Sequence, residues 1–152
     1  RVDSAGALVL ASELALKGLN LTPLCELASY AQTWLDPKVM GLGPVKAVTS
    51  ALSKAELSIS DVDVFELNEA FAAQALGVVH QLAEHHEVEK DVILSKANMN
   101  GGAIALGHPL GASGNRIIVS LIHEMERQGS SSGVASVCIG GGMGTAVVLK
   151  RS

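Results

Sequence analysis

One ionisable side chain in this chain sits in a loop nearly stripped of side chains. It is His108, within Asn100-Gly-Gly-Ala-Ile-Ala-Leu-Gly-His-Pro-Leu-Gly-Ala-Ser-Gly114. An imidazole with its ordinary pKa near 6.5 takes and returns protons around neutrality. Glycine is placed where backbone must turn sharply or approach something closely. Framed by Gly107 and Pro109, His108 is offered where a ligand can touch both the ring and backbone N–H groups. A second such loop, Cys138-Ile-Gly-Gly-Gly-Met-Gly144, pairs one thiol with bare backbone. Asn68, at the end of the apolar run Asp61 to Leu67, is the third polar group at such a junction. Two glycine-framed reactive groups in one small domain read as two halves of one active site.

The elements that must position these loops follow from hydrophobic spacing. Ala5 to Ala11 suits a buried strand, followed by a brief helix to Gly18. Leu24 to Leu35 reads as a strand. Asp36-Pro37 and Gly41-Leu-Gly-Pro44 break the chain before a helix with Val45, Val48, Leu52 and Ala55 on one face. Asp61 to Leu67 is a strand, and Asn68-Glu-Ala-Phe71 opens a helix with Phe71, Ala75, Val78, Val79 and Leu82 at helical spacing. Glu84 to Lys90 is a polar connection, and Ile93 to Ile104 reads as extended. Ser113 is placed to cap a helix that turns Ile117, Ile118, Leu121, Ile122 and Met125 inward. Val134 to Ile139 and Thr145 to Leu149 close the chain as two strands. Alternating strands and helices of this kind give an α/β layered domain with a mixed sheet.

At 152 residues the chain is one domain's worth of core, and no boundary or repeat divides it. Its apolar set is 48%, with 16 glycines besides, and only 17% of residues are charged. That is more apolar surface than so small a domain hides alone, so a further face is expected against another domain. A net charge of −4 and four aromatic residues argue against a nucleic-acid surface. No run approaches the roughly 18 apolar residues of a membrane span. Two cysteines and five scattered histidines give neither a disulfide framework nor zinc-ligand spacing, so no metal site and a reducing, cytoplasmic setting are expected, with mitochondria or peroxisomes left open. Gly140-Gly-Gly-Met-Gly144 leads into a strand, not a helix, which excludes a dinucleotide fingerprint.

Taken together, Asn68-Glu-Ala-Phe-Ala72, the His108 loop and the Cys138 loop resemble the three C-terminal signatures of the thiolases, and Asp36-Pro-Lys-Val-Met-Gly-Leu-Gly-Pro-Val45 resembles a fourth family segment. The likeness runs from about Asp3 to Lys150. It implies a thiolase-like fold whose mixed five-stranded sheet carries helices on both faces, with residues 1–152 forming the C-terminal domain. It further implies acyl transfer between coenzyme A thioesters through a cysteine acyl-enzyme. By carry-over, His108 corresponds to the base that deprotonates the nucleophile, and Cys138 to the acid/base at the substrate's α-carbon. Asn68 corresponds to the group holding an oxyanion-hole water, and Gly140 to a second oxyanion donor. Ala70 and Phe71 correspond to residues on the pantetheine arm, and Met40 to one near the acyl pocket.

The family's nucleophile lies in an N-terminal half. Of the two cysteines here, Cys25 in Leu24-Cys-Glu-Leu27 has no glycine loop or helix start to lower its pKa and reads as a packed residue. The resemblance therefore implies a chain inactive alone, partnered by an N-terminal thiolase domain and by acyl-CoA, in homodimers or homotetramers, with no permanently bound cofactor. Gly142 and Ala112 favour the acetyl-CoA acetyltransferase type over a 3-ketoacyl-CoA thiolase of β-oxidation. A non-catalytic binding module is the reading from another class. Ala83 to Ala97, longer than the family's usual stretch, is expected to be a surface insertion, and His80, Glu84, His85 and His86, which mimic a metal cluster, are expected to be a solvated helix end.

Overall fold

The computed structural model describes residues 2–151. Four strands form its sheet: β1 (Glu26–Trp34), β2 (Val64–Leu67), β3 (Ser132–Ile139) and β4 (Met143–Lys150), in the order β1-β4-β3-β2. The β1–β4 and β4–β3 pairs are antiparallel and β3–β2 is parallel. The helices are α1 (Glu13–Leu19), α2 (Gly43–Lys54), α3 (Ala72–His85), α4 (Lys90–Leu94), α5 (Ala103–Leu106) and α6 (Ser113–Gln128), with a 3₁₀ turn at Pro37–Leu42.

Strand residues alternate between two cores, as a period of two requires. Phe65, Leu67, Val134, Ala146 and Val148 pack with α2 and α3 through Val48, Leu52, Val78 and Leu82. Val64, Ala135 and Leu149 pack with Ile117, Leu121 and Met125 of α6. Each fully buried side chain of this size contributes about 1.5–3 kcal/mol. Helices thus cover both faces of a mixed sheet, as expected.

The sheet has four strands where five were expected. The fifth position beside β2 is held by a single parallel bridge, Phe65 to Ala97. Phe65 N–H donates to the Lys96 carbonyl (2.9 Å) and Asn98 N–H to the Phe65 carbonyl (2.8 Å). The Asn98 side chain then replaces the next ladder rung, accepting from Leu67 N–H and donating to the Leu67 carbonyl, each at 2.9 Å. Positive φ at Asn98 turns the chain away from the edge at once. The extended run expected at Ile93–Ile104 is accordingly short: α4 ends at Leu94 and α5 starts at Ala103. Nor is Ala83–Ala97 a surface insertion, since Ile93 is fully buried and Ala97 reaches the sheet.

Ala5–Ala11 is not a strand. It finds no strand partner among the described residues, and Val9 is 96% exposed. Its apolar pattern suits a sheet, but an unpaired strand has nowhere to place its hydrogen bonds. The helix expected to open at Asn68 begins at Ala72, and Phe71, expected inside, is exposed at its N-cap. Ser113 does not cap α6: Ala112 holds the cap position, and the Ser113 hydroxyl is used elsewhere.

Where α2 starts, its backbone lies directly on β4. A Cβ at Gly144 would stand 2.2 Å from the Gly43 carbonyl carbon, and one at Gly43 would stand 2.6 Å from the Met143 oxygen. Both obstacles are backbone, so neither can swing aside. Gly144→Ala should therefore lower stability by at least the ~1–3 kcal/mol typical of overpacking. Urea unfolding checks this, and an unchanged midpoint would contradict the close approach.

Candidate active site

The reactive groups gather at the carboxyl end of the parallel pair β2–β3, where open α/β sheets place their ligands. Asn68 follows β2 directly, and its N–H donates to the Ser136 carbonyl of β3 (2.9 Å), which extends the ladder by one rung. Two residues beyond Ser136, Cys138 sits 6% exposed near the end of β3. Gly140–Gly142 then turn the chain into β4, with φ of 83° at Gly141 and 88° at Gly142. That turn is pinned: Leu35 N–H donates to the Gly142 carbonyl (2.8 Å), and a Cβ at Gly142 would lie 2.3 Å from the Leu35 oxygen. Gly140 is exposed with open space around it.

His108 is half-buried between β2 and the start of α6. Its Nε2 lies 3.4 Å from Asn68 Nδ2, and its Nδ1 lies 2.6 Å from Ser113 Oγ. The Ser113 hydroxyl donates to the Pro109 carbonyl (3.1 Å), so it has only lone pairs left for the ring. Nδ1 therefore carries the proton, and Nε2 is the basic nitrogen, turned towards an Asn68 N–H donor. The structure thus joins Asn68 and His108, and adds Ser113, whose role in the site the sequence reading missed. Its signal was its position five residues after the histidine in the same loop.

Cys138 stands at the same end of the sheet, but no hydrogen bond links its thiol to His108 or Asn68 among the described residues. Burial pushes that thiol up, against a smaller lowering from its own backbone, so it rests protonated. Ala70 is half-buried beside Asn68, Phe71 is exposed at 68%, and Met40 is half-buried in the 3₁₀ turn. The Gln74 amide donates to Gly41 O (3.0 Å), which ties that turn to α3. Cys25 is half-buried against the α6-side core, and burial raises its thiol too. Among the described residues no His, Cys, Asp and Glu cluster could hold a metal, and His86 instead meets Thr49 Oγ1 at 3.1 Å.

The His108 loop is anchored by acids the sequence reading did not single out. The Glu69 carboxylate accepts from the Asn98 side chain (2.9 Å) and from Ile104 N–H (3.1 Å), and Gly102 leaves room for it. Asn100 donates to buried Glu124 (2.8 Å), which also holds Arg127 and Gln128. Those donors, Arg127 first, bring Glu124 down to about 2.

The residues Thiolase, C-terminal domain family model matches are 21–151. The chain belongs to the thiolase family. It is 54% identical over 149 residues to acetyl-CoA acetyltransferase of Cupriavidus necator, covering 98% of this chain and 36% of that protein. It is 51% identical over 150 residues to human mitochondrial 3-ketoacyl-CoA thiolase, covering 99% of this chain and 36% of that one. The solved acetyl-CoA acetyltransferase of Syntrophomonas wolfei superposes with a TM-score of 0.87 at 47% identity, over 93% of this chain and 35% of that one. The thiolase-family chain thus spans about a third of the length of these relatives.

Two outcomes test this arrangement. Ser113→Ala removes a hydrogen bond worth ~1 kcal/mol net, so the preference for protonated Nδ1 should relax about five-fold. The ¹⁵N shifts of His108 report it, and unchanged shifts would refute the tautomer. The second concerns Glu66, 1% exposed on β2, which burial pushes up to about 7. The folded state then holds a proton that the unfolded chain has already lost, so stability falls as pH rises from about 4.5 to 7. One such group is worth about 1.4 kcal/mol per pH unit. Glu66→Gln should flatten that decline in urea titrations, and an equally steep decline would contradict it.

Proposed function

We propose that this chain works as the proton-handling half of an acyl-CoA C-acyltransferase of the acetyl-CoA acetyltransferase type, forming or cleaving acetoacetyl-CoA. The observation that carries the reading is His108, with Nδ1 satisfied by Ser113 and Nε2 basic at the end of β2. Such a nitrogen suits deprotonation of a thiol presented by the other two-thirds of a thiolase.

In the cleavage direction the proposed nucleophilic thiolate, its proton passed to His108 Nε2, adds to the ketone carbonyl of the substrate. The bond between C2 and C3 then breaks. Its electron pair goes to C2, which takes the proton of Cys138, and acetyl-CoA leaves while the acyl group stays as an enzyme thioester. Coenzyme A, giving its thiol proton to the Cys138 thiolate, next attacks that thioester; the bond to the nucleophile breaks, acyl-CoA leaves, and the released thiolate takes back the proton held by His108. Burial that keeps Cys138 a thiol supports its role as the donor. Asn68 Oδ1 is enclosed and has no hydrogen-bond partner, which leaves it an acceptor for the water assigned to it. Gly140, unobstructed at the turn, suits an oxyanion donor, and such donors act most strongly where water is excluded. Ala70 and Phe71 are our candidates along the pantetheine arm, and Met40 near the acyl pocket. A solved human thiolase that resembles this chain has CoA bound.

The partner we propose is an N-terminal thiolase domain, within a homodimer or homotetramer. Support comes from the sheet: α6 covers β2 and β3 but leaves Leu27, Tyr30 and Trp34 of β1 exposed by half or more. Such a patch marks a surface that another domain covers. Both cysteines are free thiols, which supports a reducing, cytoplasmic compartment. Among the described residues no helix is long and apolar enough to cross a membrane.

The reading is tested in an enzyme that joins this chain to a thiolase N-terminal half. His108→Ala should abolish acyl-enzyme formation, read as the acetyl adduct by intact mass spectrometry. Cys138→Ala should keep that adduct but lose α-proton exchange and condensation by the ~10²–10⁴-fold typical of a general acid/base. Normal condensation by the Cys138 variant would overturn the roles. Faster turnover of long 3-ketoacyl-CoA than of acetoacetyl-CoA would overturn the chain-length class.

A further inference from the structure

Strand β2 meets α6 through two neighbouring polar rungs. The first is Asn68–His108–Ser113, already described. The second lies two residues back along β2 and one turn further along α6. Val64 packs into the α6-side core while Phe65 and Leu67 face the other way, so Glu66 and Asn68 share the α6 side of the strand. On α6, Arg116 follows Ser113 by three residues, close to one helical turn.

Glu66 and Arg116 are unusual for buried charges. Among the described residues both Glu66 carboxylate oxygens are enclosed without a hydrogen bond, and so are Nε, Nη1 and Nη2 of Arg116. The two interact electrostatically, Arg116 favouring the charged form of Glu66, while Glu124 of α6 and Glu69 after β2 oppose it. Glu124 is already satisfied by Arg127, Asn100 and Gln128, and Glu69 by Asn98 and Ile104. Arg116 is thus the one cation acting on Glu66 among the described residues.

We propose that Glu66 is a positioning residue for the Asn68–His108 pair: its charge, facing Arg116, draws the first turn of α6 towards β2 and so sets the Asn68 Nδ2 to His108 Nε2 contact. The inference rests on the reading of Asn68 and His108 as the site, but its test does not depend on activity. Removing the charge loosens the attraction between the two elements, and the neighbouring rung, already long at 3.4 Å, is the one that lengthens. Because desolvation brings Glu66 to about 7, the device changes state near neutrality. A charge held without direct hydrogen bonds is suited to this, since its attraction acts over distance and adjusts continuously.

The experiment uses the 152-residue chain in solution. Glutamate labelled with ¹³C at Cδ reports the ionisation of Glu66, and the side-chain NH₂ of Asn68, which does not itself titrate, reports the contact. The Asn68 signal should show a step at the pH where Glu66 Cδ titrates. Glu66→Gln should lose that step and keep any step due to His108, with backbone dispersion unchanged. An Asn68 profile in Glu66→Gln superimposable on the native one would overturn the proposal. Should Glu66→Gln not fold, the native chain alone decides: a Glu66 step with no counterpart at Asn68 overturns it equally. Loss of catalysis in His108 or Cys138 variants of the joined enzyme bears on the proposed reaction and leaves this coupling separately measured.

Discussion

Helix α6 lies on β2 and β3 at a distance set by a missing side chain. A Cβ at Gly133 would stand 2.6 Å from Met125 Sδ and 2.7 Å from a Leu121 methyl, so glycine there lets the helix settle against β3. Leu121 and Met125 are fully buried as a result. Everything at the other end of the helix inherits that placement. Ser113 begins α6, and its hydroxyl is the fixed point that orients the His108 ring. Raise the helix by the width of a methyl group and the imidazole leaves Asn68, whose own place is fixed by the β2–β3 ladder. The geometry of the Asn68–His108 contact is therefore a consequence of core packing about twenty residues further along the chain.

The same close packing explains why two glutamates under one helix ionise so differently. Glu124 and Glu66 are both buried. Glu124 is met by a guanidinium and two amides, so its charged form is stabilised and it titrates at about 2. Glu66 has no hydrogen-bond donor and two acidic neighbours, so desolvation wins and it titrates near 7. Burial alone raises a carboxyl; donors decide whether it stays raised. The donors to Glu124 come from α6 and from Asn100, in the loop that carries His108. The acid that fastens the loop is thus kept charged, and the acid beside the site is left responsive.

The gathering of the candidate residues was legible in the chain because glycines and reactive groups occur together: His108, Cys138 and Asn68 all fall at one end of the sheet, as their junction positions imply. The α2, α6, β3 and β4 elements were legible from spacing. What misled was apolar pattern without a partner. Ala5–Ala11 has strand composition and no strand beside it; Ile93–Ala97 has apolar residues that enter the core through a short helix and one bridge. Neither the side-chain rung made by Asn98 nor the hidden pair of Glu66 and Arg116 leaves a trace in local periodicity, since both depend on contacts across roughly thirty to fifty residues. Ser113 was noticed for the wrong reason. A serine at a helix start is ordinarily a cap, and only the fold shows that its hydroxyl faces the imidazole.

The placement of these groups also bears on why a domain this small carries so open a site. Asn68, Cys138 and the Gly140–Gly142 turn stand on rigid strand ends, whereas His108 rides on a loop held by Glu69, Glu124 and Ser113. Strand ends fix where a developing negative charge could be met, and the loop sets where a proton could be taken. In the proposed reaction the two tasks occur on different atoms of the substrate, so separate supports let each be placed without disturbing the other. Phe71 and Leu110, both largely exposed, flank the His108 side. Apolar groups there gain burial only when something closes over them. A site whose water exclusion depends on such closure can still keep its polar groups correctly oriented in the open domain.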